Sequence, residues 1–225
     1  MGMIGELNEK TIHKSLKTRI EPDVACHEVK LNGYYVDVLR DEVVFEIQSR
    51  NLYVIKEKLR SLLGTHRVTV VYPVIRTKWI VWVDEVGQVV RRRKSPKSGQ
   101  VCHVLAELYG IRDLLDHENL SFRVDCLDAE DFRLVRGKAE TVKRLECVPL
   151  TWLDVVEFGG TRERGLERVL PELVDEFTSK EFGRMGGLQQ NLASKALKVL
   201  RDSGVIEQVG KRGRLYLYRR IQKSL

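Results

Sequence analysis

Asp37, Glu46 and Gln48 stand in a stretch where polar side chains need a reason to be. The segment Tyr34-Tyr-Val-Asp37-Val-Leu-Arg-Asp-Glu-Val-Val-Phe-Glu46-Ile-Gln48 is otherwise rich in β-branched and aromatic residues, the composition of strands, from which Asp is depleted. Strand side chains alternate between faces, so Val43, Phe45 and Ile47 form an apolar core face and Val44, Glu46 and Gln48 point the other way. On that reading Glu46 and Gln48 project together, about 7 Å apart. A tight turn near Arg40–Glu42 folds the preceding strand back, and a register that puts Asp37 on the same face gathers two carboxylates and an amide. Asp37 and Glu46 then suit a hard cation, Mg²⁺ or Mn²⁺, completed by waters and phosphate oxygens. Such an ion lowers the pKa of a bound water and neutralises charge on a phosphodiester during in-line attack. Gln48 would orient the water.

Chemistry on a phosphodiester also needs an approach for a polyanion. Net charge is +7, and 14 Lys+Arg against 8 Asp+Glu fall from Thr161 onward, while the first 160 residues are nearly neutral. That asymmetry points to a polyanion such as nucleic acid, the alternative being a solvated basic face. The run Arg91-Arg92-Arg93-Lys94-Ser-Pro-Lys97 is read as a loop that contacts phosphate, the alternative being merely an exposed connector. Projected at 100° per residue, Gln190, Asn191, Ser194, Lys195, Lys198 and Arg201 share one arc of a helix, and Leu192, Ala193, Ala196, Leu197, Val199 and Leu200 the other. Amides and hydroxyls reach base edges, and cations reach phosphates. Lys211, Arg212 and Arg214 would form a basic wing beside that helix.

The elements that must position these groups follow from periodicity. Residues 6–19 are helical, with Leu7, Ile12 and Leu16 inward. His27–Leu31, Tyr34–Leu39 and Val43–Gln48 read as strands, and Asn32-Gly33 is a type I′ hairpin signal. Asn51–Leu63 is an amphipathic helix ended by Gly64. Val68–Ile75 is a strand buried on both faces, and Trp79–Asp84 another, with Trp79 and Trp82 read as core. A linker is expected near residues 157–165. Beyond it, helices over Leu166–Phe177, Lys180–Met185 and Leu188–Asp202 and a hairpin around Gly210–Gly213 give a winged helix-turn-helix order.

Asp37, eight intervening residues, then Glu46-Ile-Gln48, between a helix bearing Glu9 and a following helix and strand, resembles the PD-(D/E)xK nuclease superfamily. Glu9-Lys-Thr-Ile-His13-Lys-Ser-Leu-Lys17, Glu46-Ile-Gln-Ser-Arg50 and His66-Arg-Val-Thr-Val-Val-Tyr-Pro73 are similar to a little-characterised prokaryotic group within it. The resemblance implies an α/β, restriction-endonuclease-like mixed sheet flanked by helices over residues 1–157, followed by a C-terminal winged-helix DNA-binding domain over 166–225. It implies Mg²⁺-dependent DNA phosphodiester hydrolysis, with Asp37 and Glu46 as ligands, Glu9 as a helix carboxylate near the metal and Gln48 in the lysine position. It also implies a homodimer. Gln48 departs from the pattern because it carries no charge, and Val36 rather than Pro precedes Asp37. The literal Pro22-Asp23 lies before the first strand, so Asp37 is preferred. His13, one turn after Glu9, could touch substrate or a carboxylate, although a packed helix histidine is commoner.

The alternatives are a catalytically inactive nuclease-fold protein that binds DNA or regulates, and a protein–protein adaptor. No apolar run reaches the ~18 residues that span a bilayer, and the N-terminus has no secretory h-region. Cys26, Cys102, Cys126 and Cys147 lie far apart without C-x-x-C, which fits a reducing cytoplasm. Cys26-His27 and Cys102-His103 are adjacent pairs whose side chains point oppositely on a strand, so neither is expected to chelate.

Overall fold

The computed structural model describes residues 11–136, 141–161 and 163–221. After α1 (Thr11–Ile20), strands β1 (His27–Leu31) and β2 (Tyr34–Arg40) form the expected hairpin. Its turn residues Asn32 and Gly33 have φ of 49° and 84°, the left-handed pair a type I′ turn requires. A second tight turn at Asp41-Glu42, also at positive φ, leads into β3 (Val43–Ile47). A 3-10 turn at Leu52–Ile55 and helix α2 (Lys56–Leu63) then cross over to β4 (Arg67–Val83), which runs parallel to β3.

The two strands expected at 68–75 and 79–84 are one strand of 17 residues, β4. Its register against the next strand shifts between Ile75 and Lys78, and the Thr77 N–H turns to the Asp128 carboxylate at 2.8 Å. A side-chain acceptor thus satisfies the backbone at the irregularity and the strand continues. Edge strand β5 (Val89–Lys94), helix α3 (Val104–Leu108) and two long strands, β6 (Leu120–Arg136) and β7 (Thr141–Gly159), complete the first half. The sheet order is β1-β2-β3-β4-β6-β7, with β5 on β4. The β3–β4 and β4–β6 pairs are parallel and the others antiparallel. The protein is therefore α/β, with a mixed sheet flanked by helices.

Helices lie on both faces because both faces of the central strands are apolar. Leu16 and Ile20 of α1 pack with Val38, Ile47 and Val71. On the other face Leu59 and Leu62 of α2 and Leu105 and Leu108 of α3 meet Val44, Val68, Val70 and Phe122. The expected split of β3 into one core face and one open face is thus corrected: Val44 is fully buried as well as Ile47.

The C-terminal part joins this second core. Leu166–Val169 is only a 3-10 turn, not the expected helix through Phe177. Pro171 forces the residue before it out of helical space, and Leu170 is extended at φ −69°, ψ 145°. Short strand β8 (Glu176–Thr178) leads to α4 (Ser179–Met185), where Thr178 and Glu181 form a reciprocal capping box. Then come α5 (Gln190–Asp202), β9 (Ile206–Arg212) and β10 (Leu215–Arg220), with sheet order β8-β10-β9. Phe177, Phe182, Leu197 and Leu200 share one continuous cluster with Leu105 and Leu108.

The segment read as a linker is tied down. Arg164 donates to the carbonyls of His117 at 2.7 Å and Glu118 at 3.1 Å. At Gly160 a Cβ would lie 2.2 Å from the Leu115 carbonyl oxygen. Gly160→Ala is therefore expected to cost about 2 kcal/mol or more by forcing backbone apart, roughly 4–8 °C in Tm for a chain of this size. Gly210→Ala, with nothing within 4 Å, should leave thermal unfolding nearly unchanged.

Candidate functional site

The β2–β3 ladder pairs Arg40 with Val43, Leu39 with Val44 and Val38 with Phe45, and ends there. The next residues along it are Asp37 and Glu46. Their side chains take over the bonding: Glu46 Oε1 accepts from the Asp37 N–H at 3.3 Å, and Asp37 Oδ2 accepts from the Ile47 N–H at 2.7 Å. Beyond this point β3 follows β4, and the Gln48 N–H donates to the Val71 carbonyl. The two carboxylates thus close the gap where neighbouring strands part.

Asp37 is also where β2 changes allegiance: Val36 packs in the α2 core and Val38 in the α1 core. On its other side lies β1, whose Glu28, between the paired positions His27 and Val29, has φ 52°. A left-handed residue that is not glycine is strained and persists only where its surroundings enforce it.

Glu46 is 3% exposed. Lys58 of α2 places Nζ 2.5 Å from Glu46 Oε1 and donates to the Tyr35 carbonyl. Burial and the adjacent Asp37 charge push the Glu46 carboxyl up to about 7, against the pull of Lys58. Asp37, whose side chain is 20% exposed, has His13 Nε2 of α1 at 3.3 Å from Oδ2. Burial raises its pKa, but the His13 hydrogen bond and charge, the Ile47 N–H and Lys58 together hold it below the ordinary value. Two adjacent carboxyls are therefore driven apart: Asp37 stays ionised while Glu46 titrates near neutrality.

Sequence reasoning missed Lys58. The signal available was its place beside Leu59 on an amphipathic helix, but no local spacing links it to Glu46, twelve residues away.

A cleft of about 800 Å³ opens next to the pair. His13, Ile47, Gln48, Arg50, Tyr72 and Arg144 border it, whereas Asp37 and Glu46 do not. Gln48 and Glu46 therefore do not present a common open face as expected, because β3 ends at Ile47 and Glu46 lies against α2. Glu9 lies outside the described residues. Among the described residues no group of three or more His, Cys, Asp or Glu is gathered for a metal. The donor set still suits a hard cation that keeps several waters, which needs only one or two carboxylates. The contacts above engage Asp37 Oδ2 and Glu46 Oε1 and not the second oxygen of either group.

The basic groups lie elsewhere. Arg91, Arg92, Arg93 and Lys94 are not in a loop but on β5, exposed along its whole length, and exposed Lys97 follows. Arg91 and Arg93 stack over Trp82 at 5.0 and 5.6 Å, and Arg92 over Trp79 at 3.9 Å while paired with Glu130. Trp79 and Trp82 are thus half-buried plates under arginines rather than core. On α5, Gln190, Asn191, Ser194, Lys195 and Arg201 are exposed, Lys198 is half-buried and paired with Asp202, and Ala193, Ala196, Leu197, Val199 and Leu200 are buried. The hairpin expected around Gly210–Gly213 is present as β9–β10, with its turn at Gly213-Arg214. Lys211 stacks on Tyr216, Arg212 pairs with Glu181 at 3.1 Å, and Arg214 is exposed at the tip. The four cysteines are free thiols.

The raised Glu46 pKa has a stability consequence. The folded chain holds a proton that the unfolded chain releases between about pH 4.5 and 7, so stability falls as pH rises through that window. Glu46→Gln should flatten the slope between pH 5 and pH 8. Denaturant unfolding of both proteins at pH 5 and pH 8 measures this, and an unchanged slope would mean Glu46 stays ionised throughout.

No solved structure matches this chain. A protein of Treponema pallidum (strain Nichols), described as an uncharacterized protein, is 32% identical over 222 residues, covering 96% of this chain and 87% of the relative. Residues 10–156, which carry the Asp37–Glu46 pair and the cleft beside it, match the family model described as Domain of unknown function (DUF8091). The chain belongs to that family.

Proposed function

We propose that this protein is a Mg²⁺-dependent DNA phosphodiester hydrolase, a PD-(D/E)xK-type nuclease domain with an appended winged helix that holds DNA. The observation that carries the reading is the meeting of Asp37 and Glu46 at the parting of β2 and β3, with a lysine on one of them and a cleft alongside.

Asp37 and Glu46 would hold the ion, which when bound supplies Lewis-acid charge to the phosphate and lowers the pKa of a coordinated water. Lys58 brings to the site the positive charge that Gln48 lacks, delivered from α2 instead of from the strand. It offsets the negative charge of the carboxylate pair and of the phosphate beside it. His13 fixes the Asp37 carboxylate on one oxygen. Gln48, at the border of the cleft, both donates and accepts and so orients a water against the scissile phosphate. Arg50, exposed on the same border, meets the phosphate backbone. The arginines of β5, the polar face of α5 and the Lys211–Arg214 wing extend the cationic surface, and in a winged-helix reading α5 is the helix that meets a groove. Location in the cytoplasm, where DNA is reached, accords with the free thiols, and a second copy of the chain would supply the opposite strand's cut.

A second reading is favoured by the 3% exposure of Glu46 and its short contact with Lys58. There the pair is a structural clasp in a catalytically inactive nuclease-fold protein that binds DNA.

Incubation of labelled DNA with Mg²⁺ or Mn²⁺ separates the two. The nuclease reading expects cleavage that Asp37→Ala abolishes and Lys58→Ala slows by roughly 10²-fold or more, the usual cost of removing one electrostatic stabiliser. DNA affinity in EDTA should be unchanged or improved in Asp37→Ala. Intact DNA with the wild-type protein, beside salt-dependent binding that both variants keep, would leave only the second reading.

A further inference from the structure

A second cleft, of about 460 Å³, lies between the 3-10 turn at Leu52–Ile55, the α3 end and α5. Tyr53 and Tyr109 both line it, and Tyr53 is 65% exposed. Their closeness is built in: a Cβ on Gly110 would meet Tyr53 Cβ at 3.0 Å and its backbone nitrogen at 3.1 Å. A side chain after Tyr109 would press on this turn, and the glycine lets the two turns lie close. Each ring carries a cation. Lys56 lies 5.9 Å from the Tyr53 centroid, and Arg112 and Lys195 lie 4.5 and 5.9 Å from that of Tyr109.

The carboxylates nearby are already occupied. Glu107 accepts from the Asn51 N–H, and Asp113 pairs with Lys56 and Arg60. Arg112 and Lys195 have no carboxylate partner among the described residues. One exposed and one half-buried ring in one concavity, with two cations that lack a carboxylate, suit a ligand that offers both π-faces and negative charge. A duplex hides its base faces in the stack, whereas an unpaired strand presents them. The chain also links this cleft to the first, since Ile47–Arg50 border one and Asn51–Tyr53 the other.

We propose that the Tyr53–Tyr109 cleft holds unpaired bases of a DNA strand, with phosphates on Arg112 and Lys195, so that the protein prefers DNA with a single-stranded stretch to blunt duplex. The proposal rests on the DNA-binding reading above and not on cleavage.

Fluorescence anisotropy in EDTA, with a labelled single-stranded oligonucleotide and a blunt duplex of the same sequence, tests it. The single strand should bind the wild type more tightly. Tyr53→Ala with Tyr109→Ala should weaken single-strand binding about ten-fold or more and duplex binding less than two-fold, whereas Tyr→Phe at both positions keeps single-strand affinity. If the double alanine variant melts early, Tyr53→Ala alone, at an exposed ring, should weaken the single strand about three-fold or more. Equal losses on both probes, a wild type that prefers blunt duplex, or folded variants without loss would overturn the inference. Absence of binding to either probe would sink it together with the DNA-binding reading. The expected binding pattern without cleavage in Mg²⁺ would sink the nuclease alone.

Discussion

Glu46 is a carboxylate placed where water scarcely reaches, on a strand paired on one side with a hairpin and on the other with the central β4. An ionised group there is costly unless it is paired and hydrogen-bonded. Lys58 meets one side of that demand and the Asp37 backbone the other. The pairing fixes where α2 lies along the sheet, since Lys58 must reach Glu46 while Leu59 and Leu62 stay in the core. It also explains why the β2–β3 ladder can end early without leaving bare backbone: the side chains of Asp37 and Glu46 replace the ladder bonds just where the strands part.

The same region shows two carboxyls given unlike characters by their surroundings. Asp37 lies under His13, near the cleft, and is stabilised as an anion. Glu46 lies under α2, and burial outweighs its lysine. Such separation is common where acidic groups do chemistry, although structural ion pairs also produce it. The nuclease proposal follows from the position of the pair, between a helix that brings a cation and a neighbouring cleft.

The C-terminal part is not an independent bead. Its core runs without a break into that of the sheet through α3 and α5, and Arg164 and Gly160 pin the connection. Lys195, on the exposed face of α5, therefore lines a cleft whose remaining walls belong to the first half. A surface that combines α5 with Tyr53 and Tyr109 exists only because the C-terminal part and the sheet share one apolar interior.

The hairpin at Asn32-Gly33, the crossover from β3 through α2 to β4, and the two faces of α5 were legible in the sequence, because turn chemistry and side-chain periodicity are local. So was the proximity of Asp37 and Glu46, since a tight turn between two short strands leaves few registers. Pro171 carried the reason that its segment is not helical, yet an apolar pattern outweighed it on reading. Three things were settled only by the tertiary structure. Lys58 reaches Glu46 through helix-on-sheet packing, which no spacing encodes. Trp79 and Trp82 lie under arginines because β5 returns to the edge of β4, a pairing set by non-local hydrogen bonds. Glu46 is buried rather than open because α2 covers its face of β3, and burial depends on what packs above a residue, which alternation along the strand does not specify.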